Sequence, residues 1–188
     1  MSNGLNGHVI QREVELDEID WEQTKIRQAD DAEVIKEYTD LIHSHPSTQY
    51  PFPPGDAFQE DDLSPLYIAD GRHRGLACKR AMRTTMPFNI HRGTKRDAIL
   101  FGIAANHHHG LKFTTADKEA IVKRLLNDPE WGKRSAEWIA QIVGASTYLV
   151  IKIKESSGLC GKDLKPKVKG KDGKDYPVKH KQVKKKRI

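Results

Sequence analysis

Residues 70–74, Asp-Gly-Arg-His-Arg, combine a turn with three basic side chains. They follow the apolar run 66–69, which predicts a short strand, and they precede a basic segment with helical character. A helix that starts here offers free backbone N–H groups and the positive end of its dipole, which together favour an anion, above all phosphate. The phosphate would belong either to a nucleotide or to DNA. The candidate ligands are Gly71, Arg72, His73 and Arg74.

A second basic helix start follows Gly93. Thr94 and Asp97 have the spacing of a capping box, and Thr94 and Arg96 are further candidate phosphate ligands. Near the end of this helix, Asn106 precedes three consecutive histidines, 107–109. Consecutive helical residues point about 100° apart, so the histidines do not form one metal site, and we predict no bound metal. Asn106 is predicted to line a nucleotide pocket instead.

Residues 139–153 have the spacing of a helix–turn–helix. Ala140 allows close approach of two helices, Gly144 supplies the turn, and Val150 and Ile153 return the second helix to the core. The residues left facing outward are the predicted DNA contacts: Ser146, Thr147, Tyr148, Ile151 and Lys152. An ordinary helical hairpin is the alternative interpretation.

Positive charge is concentrated at the C-terminal end. Residues 161–188 carry a net charge of +9, whereas the rest of the 188-residue chain carries −3. A basic tail is typical of proteins that bind nucleic acid, although it is also found as a solvated, disordered terminus. The predicted phosphate contacts of the tail are Lys184, Lys185, Lys186 and Arg187.

The order of elements predicts an α+β protein. Strands and helices mix up to about residue 110. Met86, Phe88 and Ile90, which alternate with Pro87, Asn89 and His91, predict a strand with one buried face. Every pattern from 114 to 154 is helical. We expect disorder over 1–8, a small mixed-sheet domain over 9–112, a helical domain over 113–157 and a basic tail over 158–188. Two cysteines, the lack of a long apolar run and a polar N-terminus favour a cytoplasmic protein that does not enter membranes.

These motifs, in this order, resemble the ParB/sulfiredoxin-like superfamily, and specifically ParB-like proteins with an appended helix–turn–helix. The resemblance covers residues 14–154. Its marks are Pro53-Pro54, residues 69–74 with Ala77 and 79–81, Gly93-Thr94 with 96–98, Ala105-Asn106 with 109–111, Asp117-Lys118, residues 127–131 and the helix–turn–helix.

The resemblance implies a ParB-type domain whose Gly-Glu-Arg-Arg-like segment holds the triphosphate of CTP, with Mg²⁺. Residues 71–74 match that segment, although Leu76 replaces its last arginine. Ala105 replaces the glutamate of a Glu-Asn pair that ends on Asn106, and both replacements weigh against CTP binding and hydrolysis. Sulfiredoxin has a catalytic cysteine where Arg72 stands, which excludes that redox activity.

The main hypothesis is therefore a DNA-binding ParB-like protein of plasmid or mobile-element type, acting in partition or transcriptional regulation and responding to CTP or ATP. The family implies double-stranded DNA, a ParA-type ATPase and a second copy of the chain as partners, with localisation on the nucleoid or a plasmid. A second hypothesis is an enzyme, a weak nucleotide hydrolase or a nuclease, that uses residues 71–74. A third is an adaptor whose basic tail docks an acidic partner.

Overall fold

The computed structural model describes residues 9–108, 112–158, 167–169 and 175–177. Both the predicted disorder over 1–8 and the basic run 184–187 lie outside these residues. The chain divides into two compact units, Met1–Ile121 with Ile142–Gly144, and Val122–Gln141 with Ala145–Ile188.

The observed elements alternate strands and helices first and are helical afterwards, so the predicted α+β class is confirmed. The first part contains β1 (Ile10–Glu15), α1 (Ala32–His43), β2 (Gly55–Gln59), β3 (Tyr67–Asp70), α2 (Arg72–Arg80), β4 (Thr85–Arg92) and α3 (Lys95–His108). The elements that follow α3 along the chain are α4 (Thr115–Asn127), a 3₁₀ turn (Trp131–Lys133), α5 (Ala136–Val143), α6 (Thr147–Ser156), β5 (Lys167–Lys169) and β6 (Asp175–Pro177).

Strand β4 organises a four-stranded mixed sheet with the order β1-β4-β2-β3. It pairs antiparallel with β1 and parallel with β2, while β3 pairs antiparallel with β2. Met86, Phe88 and Ile90 alternate with more exposed residues along β4, as their spacing in the sequence predicted. Their buried face packs in one core cluster with residues of β1 and α2, including Val14 and Cys78.

Helix caps fix where the chain enters the helices of the first unit. The carboxylate of Asp31 accepts the N–H groups of Glu33 and Val34 at the start of α1, at 3.1 and 3.2 Å. Thr94 and Asp97 cap α3 reciprocally, as the capping-box spacing predicted. Both caps are made by residues within one helical turn, so these helix starts do not depend on distant residues.

The second unit has its own buried residues. They are Val122, Leu125, Leu126, Trp131, Ile139, Ala140, Val150 and Ile153. Between α5 and α6 the chain turns at Gly144, whose φ of +64° lies in the left-handed region that favours glycine. Strands β5 and β6 pair antiparallel. Within the described part of the chain, no helix has both the length and the apolar character needed to cross a membrane.

Candidate functional site

A cavity of about 720 Å³ lies in the first unit, where the α2 N-terminus meets the sheet. Five of the predicted phosphate or nucleotide ligands line it: Gly71, Arg72, His73, Arg74 and Asn106. Its other lining residues are Arg27, Tyr38, Phe52, Pro53, Pro54, Asp56, Asp70, Asn89, Phe101 and Ala105. This volume falls within the range of about 300–1,000 Å³ that small-molecule sites occupy.

Strand register places three polar side chains in one row across the sheet. Asp56 of β2 is the register partner of Asp70 on β3 and of Asn89 on β4. Register partners share a face of the sheet, and all three residues line the cavity. The wall of the cavity therefore combines two carboxylates and an amide with the basic residues of α2.

The α2 N-terminus reaches the cavity with its backbone uncapped. Gly71 has a φ of +99°, and no side chain among the described residues caps the helix. A Cβ at Gly71 would lie 3.0 Å from the Met86 side chain and 3.1 Å from the Cα of Gly55, so a side chain would be crowded there as well as strained by the positive φ. The first N–H groups of α2 are thus available to an anion.

Arg74 holds the wall of the cavity together. Its guanidinium donates to Asp70 at 2.6 Å, to the Pro54 carbonyl at 3.1 Å and to the Pro53 carbonyl. The side chain therefore joins the Pro-rich loop to the end of β3, and its positive charge faces the cavity already balanced by one carboxylate.

Arg72 binds residues other than those bound by Arg74. It donates to both carboxylate oxygens of Asp30, at 2.6 and 2.9 Å, to Glu22 at 2.7 Å and to the Trp21 carbonyl. The hydrogen bond from Arg72 lowers the pKa of Asp30 from 3.8 to about 2. Arg72 thus fastens the loop before α1 onto the start of α2.

His73 accepts a hydrogen bond from the backbone N–H of Asp31, 3.1 Å from Nε2. An accepting Nε2 carries no proton, so the imidazole is neutral in this arrangement. Burial lowers the pKa of His73 below 6.5, which favours the same neutral form. A neutral ring adds no charge to the cavity, and the role of His73 as a phosphate ligand stays a prediction.

Arg27 is a basic lining residue that the sequence motifs missed. Its guanidinium donates to the Asn106 side-chain oxygen at 3.2 Å and lies 5.0 Å from the centroid of the Phe113 ring. It also lies 3.7 Å from the carboxylate of Asp117, which accepts the Thr114 N–H at the start of α4. Nothing in its sequence neighbourhood indicated these contacts, which join residues far apart in the chain.

The sequence motifs also did not indicate Asp56, because its partner His91 lies 35 residues away in the chain. His91 Nε2 lies 2.7 Å from Asp56 Oδ1, and its ring stacks on Phe58 at a centroid distance of 4.9 Å. The phenyl ring of Phe101 lies 5.3 Å from His91. The alternating pattern of β4 predicted the buried face of that strand, but not the pairing with β2 that brings Asp56 and His91 together.

Two predicted ligands do not line the cavity. The Thr94 hydroxyl donates to Asp97 at 2.7 Å and accepts the Asp97 N–H at 3.3 Å, so it caps α3. Arg96 lies in the first turn of the same helix. Since neither residue is among those that line the cavity, the two basic helix starts do not converge on it, and the Asp97 carboxylate caps the second one.

The predicted DNA contacts of α6 differ in exposure. Tyr148 is 64% exposed, and Lys152 is also exposed. Thr147 and Ile151 are half-buried, while the Ser146 hydroxyl accepts the Leu149 N–H at 3.2 Å and caps the helix. The remaining predicted contacts, Lys184 to Arg187, lie outside the described residues.

Cys78 is buried, and burial raises the pKa of its thiol to about 11. It therefore has no character of a nucleophile or a metal ligand. Among the residues that the structure describes, no group of three His, Cys, Asp or Glu side chains is placed to hold a metal ion.

No family model matches the sequence. A protein of Streptomyces griseus, described as a possible regulatory protein of the streptomycin biosynthesis operon, is 27% identical over 112 residues. The match covers 59% of this chain and 31% of that protein, so the chain spans about a third of its relative's length.

Similar solved structures come from the two families named in the sequence-based resemblance. C-terminally truncated chromosome-partitioning ParB of Caulobacter crescentus, bound to the centromeric parS site, is 20% identical with a TM-score of 0.49, covering 76% of this chain and 69% of that one. The same protein complexed with CTP-gamma-S is 19% identical with a TM-score of 0.41, covering 79% of both chains. Sulfiredoxin of Arabidopsis thaliana is 24% identical with a TM-score of 0.37, covering 47% of this chain and 91% of that one.

Proposed function

We propose that this chain is a DNA-binding, ParB-like protein that acts in transcriptional regulation or in plasmid partition. The observation that carries the proposal is the surface of α6, which presents Tyr148 and Lys152 to solvent immediately after a tight turn at Gly144. The description of the Streptomyces griseus relative as a possible regulatory protein supports the first of the two processes.

Helix α6 has the dimensions and side chains for reading a major groove. The groove admits an α-helix, and the N-terminal residues of a recognition helix contact base edges. Thr147 would contact a base edge or a phosphate, Ile151 a thymine methyl group, and Lys152 a phosphate. The exposed Tyr148 ring would add contact area against the sugar-phosphate backbone.

The basic tail would add affinity without sequence preference. Lys184 to Arg187 would contact phosphates and release counterions, which makes the affinity depend on salt. We place the protein on the nucleoid or a plasmid, as a homodimer on double-stranded DNA. A ParA-type ATPase is the expected partner if the process is partition.

DNA selection on the full chain, followed by fluorescence anisotropy, tests this proposal. Thr147→Ala should relax sequence preference, and Lys152→Ala should weaken binding to every sequence and flatten the salt dependence. Lys123→Ala is a matched control, because Lys123 is an exposed lysine of α4 in the second unit. Equal losses in Lys123→Ala and Lys152→Ala, or unchanged selectivity in Thr147→Ala, would contradict the assignment of α6.

We further propose that the cavity of the first unit binds a nucleoside triphosphate, CTP or ATP with Mg²⁺. The observation that supports it is an uncapped helix N-terminus that opens into a cavity of nucleotide size. Arg27 and Arg74 would complement the phosphates. Asp56 and Asp70 supply oxygen ligands of the kind that Mg²⁺ takes, and they would lie against a nucleotide-bound ion.

Calorimetric titration of the full chain with CTP and with ATP, with and without Mg²⁺, tests the nucleotide proposal. Arg74→Ala should reduce the affinity at least tenfold, since the cavity would lose a cation and the anchor of its Pro-rich wall. Arg80→Ala is the matched control, an exposed arginine at the other end of α2. If neither CTP nor ATP gives a heat of binding, the nucleotide proposal is refuted.

A further inference from the structure

Lys118, in the first turn of α4, contacts the turn between α5 and α6. Its Nζ donates a hydrogen bond to the Gly144 carbonyl oxygen at 2.7 Å, and the residue is half-buried. This distance is at the short end of the range for N–H···O hydrogen bonds, as expected for a charged donor. Lys118 and Gly144 both belong to the first unit.

The turn at Gly144 is closed by a backbone hydrogen bond that does not use the Gly144 carbonyl. The Ala145 N–H donates to the Ala140 carbonyl at 2.9 Å, across a Gly144 whose φ is +64°. This is the pattern of a Schellman motif, which ends a helix with a glycine in the left-handed region. The Gly144 carbonyl lies just past the end of α5, where the negative end of the helix dipole favours an ammonium group. Lys118 therefore caps α5 from a different helix.

The first turn of α4 is itself held firmly by the residue before Lys118. The Asp117 carboxylate accepts the N–H and the hydroxyl of Thr114 at 3.1 and 2.8 Å, which caps the helix. It also accepts the Gln28 N–H at 3.1 Å, and Arg27 lies 3.7 Å away. Asp117 is buried, so these interactions are shielded from water. Because the backbone at Lys118 is fixed in this way, its side chain can determine where the turn lies.

The conformation of the turn determines the direction in which α6 leaves it. Ala145 and Ser146 alone separate Gly144 from Thr147, the first residue of α6. The Ser146 hydroxyl accepts the Leu149 N–H at 3.2 Å, so the short connection is fixed at its other end as well. Side chains that read base edges must be held to within about 0.5 Å, whereas contacts with phosphates carry no sequence information. A movement of the Gly144 peptide would therefore disturb sequence recognition first.

We propose that Lys118 is a positioning residue for sequence recognition, whose bond to the Gly144 carbonyl holds α6 in the orientation that reads base edges. This inference rests on the DNA-binding function proposed above, and it gives Lys118 no contact with DNA. Without the bond, α6 takes more than one orientation, and the affinity for the preferred sequence falls with the fraction of molecules that keep the competent one. The affinity for other sequences depends on charge, so it changes only as the loss of one positive charge requires.

Fluorescence anisotropy of the full chain with two DNA duplexes tests the inference. One duplex is the sequence that the wild-type chain enriches in DNA selection, and the other is a scrambled duplex of the same length and composition. In Lys118→Met the ratio of the two affinities should fall about tenfold, the factor that corresponds to one hydrogen bond with a charged donor. Lys118→Arg keeps a charged donor and should retain most of the ratio. Lys123→Met removes the same charge from an exposed position of α4 and should leave the ratio unchanged.

Thermal unfolding of the same variants separates positioning from stability. If Lys118→Met melts at a lower temperature but keeps the wild-type affinity ratio well below that temperature, the bond serves stability alone and the inference is overturned. An equal fall of the ratio in Lys123→Met overturns it too. Should Lys118→Met fail to fold, Lys118→Gln, which is shorter and uncharged, is judged by the same criteria. A selection that enriches no sequence overturns the DNA-reading function of α6 itself, whereas an unchanged ratio in a chain that does select DNA overturns only the role of Lys118.

Discussion

The pairing of Arg72 with Asp30 makes a quantitative prediction for stability. Asp30→Asn removes the charge that the guanidinium holds at 2.6 and 2.9 Å, while Glu22 stays 2.7 Å from the same arginine. The pKa of Asp30 falls from 3.8 to about 2 on folding. At about 1.4 kcal/mol for each pKa unit, this shift is worth about 2.5 kcal/mol; Arg72 contributes most of it, and Lys25, 3.3 Å from the same carboxylate, contributes the rest. Solvent screening of a side chain that is 22% exposed reduces this to about 1–2 kcal/mol.

The pH dependence of this loss has a definite sign. A carboxylate whose pKa is lowered by folding stabilises the protein above its unfolded pKa, and this stabilisation is lost as the pH falls toward the folded pKa. The difference between wild type and Asp30→Asn should therefore be full at pH 7. It should shrink by about half at pH 3, and it should vanish near pH 1.

Urea unfolding followed by circular dichroism at pH 7 and pH 3 measures both quantities. Asp17→Asn is the control, because Asp17 pairs with Lys79 at 2.9 Å but is 98% exposed, and its loss should change stability little at either pH. An Asp30→Asn variant as stable as wild type at pH 7, or equally destabilised at both pH values, would show that the Asp30 charge does not fasten the loop to α2.

Two further substitutions and one labelling reaction test the packing and capping seen in the structure. Gly75→Ala should lower the free energy of unfolding by about 1–3 kcal/mol in urea titrations, because the new Cβ would lie 2.0 Å from the Trp21 ring; a gain in stability, as alanine gives in an open helix, would contradict this close contact. Ser146→Ala should cost about 0.5–2 kcal/mol in thermal unfolding through loss of the bond to the Leu149 N–H, and an unchanged melting temperature would show that the cap contributes nothing. Cys78 should resist iodoacetamide at pH 8 in the native protein and react in urea, as peptide mass spectrometry would show; rapid native labelling would disprove its burial and raised pKa.

Local patterns predicted the elements well. The alternation of Met86, Phe88 and Ile90 predicted β4, and the Thr94–Asp97 spacing predicted a capped helix. Both patterns depend on residues within one strand or one helical turn, where sequence spacing fixes geometry directly. The segment 56–59 was not assigned from its residues, and it forms β2 in the middle of the sheet.

The partners of the site residues could not be predicted in this way. Arg72 reaches Asp30, which lies 42 residues earlier in the chain, and Asp56 meets His91 across 35 residues. No local spacing encodes such pairs, because they depend on strand register and on how the loop before α1 folds back. The sequence therefore predicted five residues that line one cavity, but not that carboxylates already engage its arginines.

The position of β4 also constrains the order in which the first unit can fold. β4 pairs with β1, which lies about 75 residues earlier, and with β2, about 30 residues earlier, so both ladders wait for its synthesis. Until Thr85–Arg92 leave the ribosome, β2 and β3 can form only an isolated two-stranded pair, which is marginally stable in water. During translation, the apolar residues of β1 thus stay without their sheet partner longer than those of any other strand in the first unit. Because β1 carries three charged residues and buries only Val14, this delay leaves little apolar surface of the strand open to aggregation on the nascent chain.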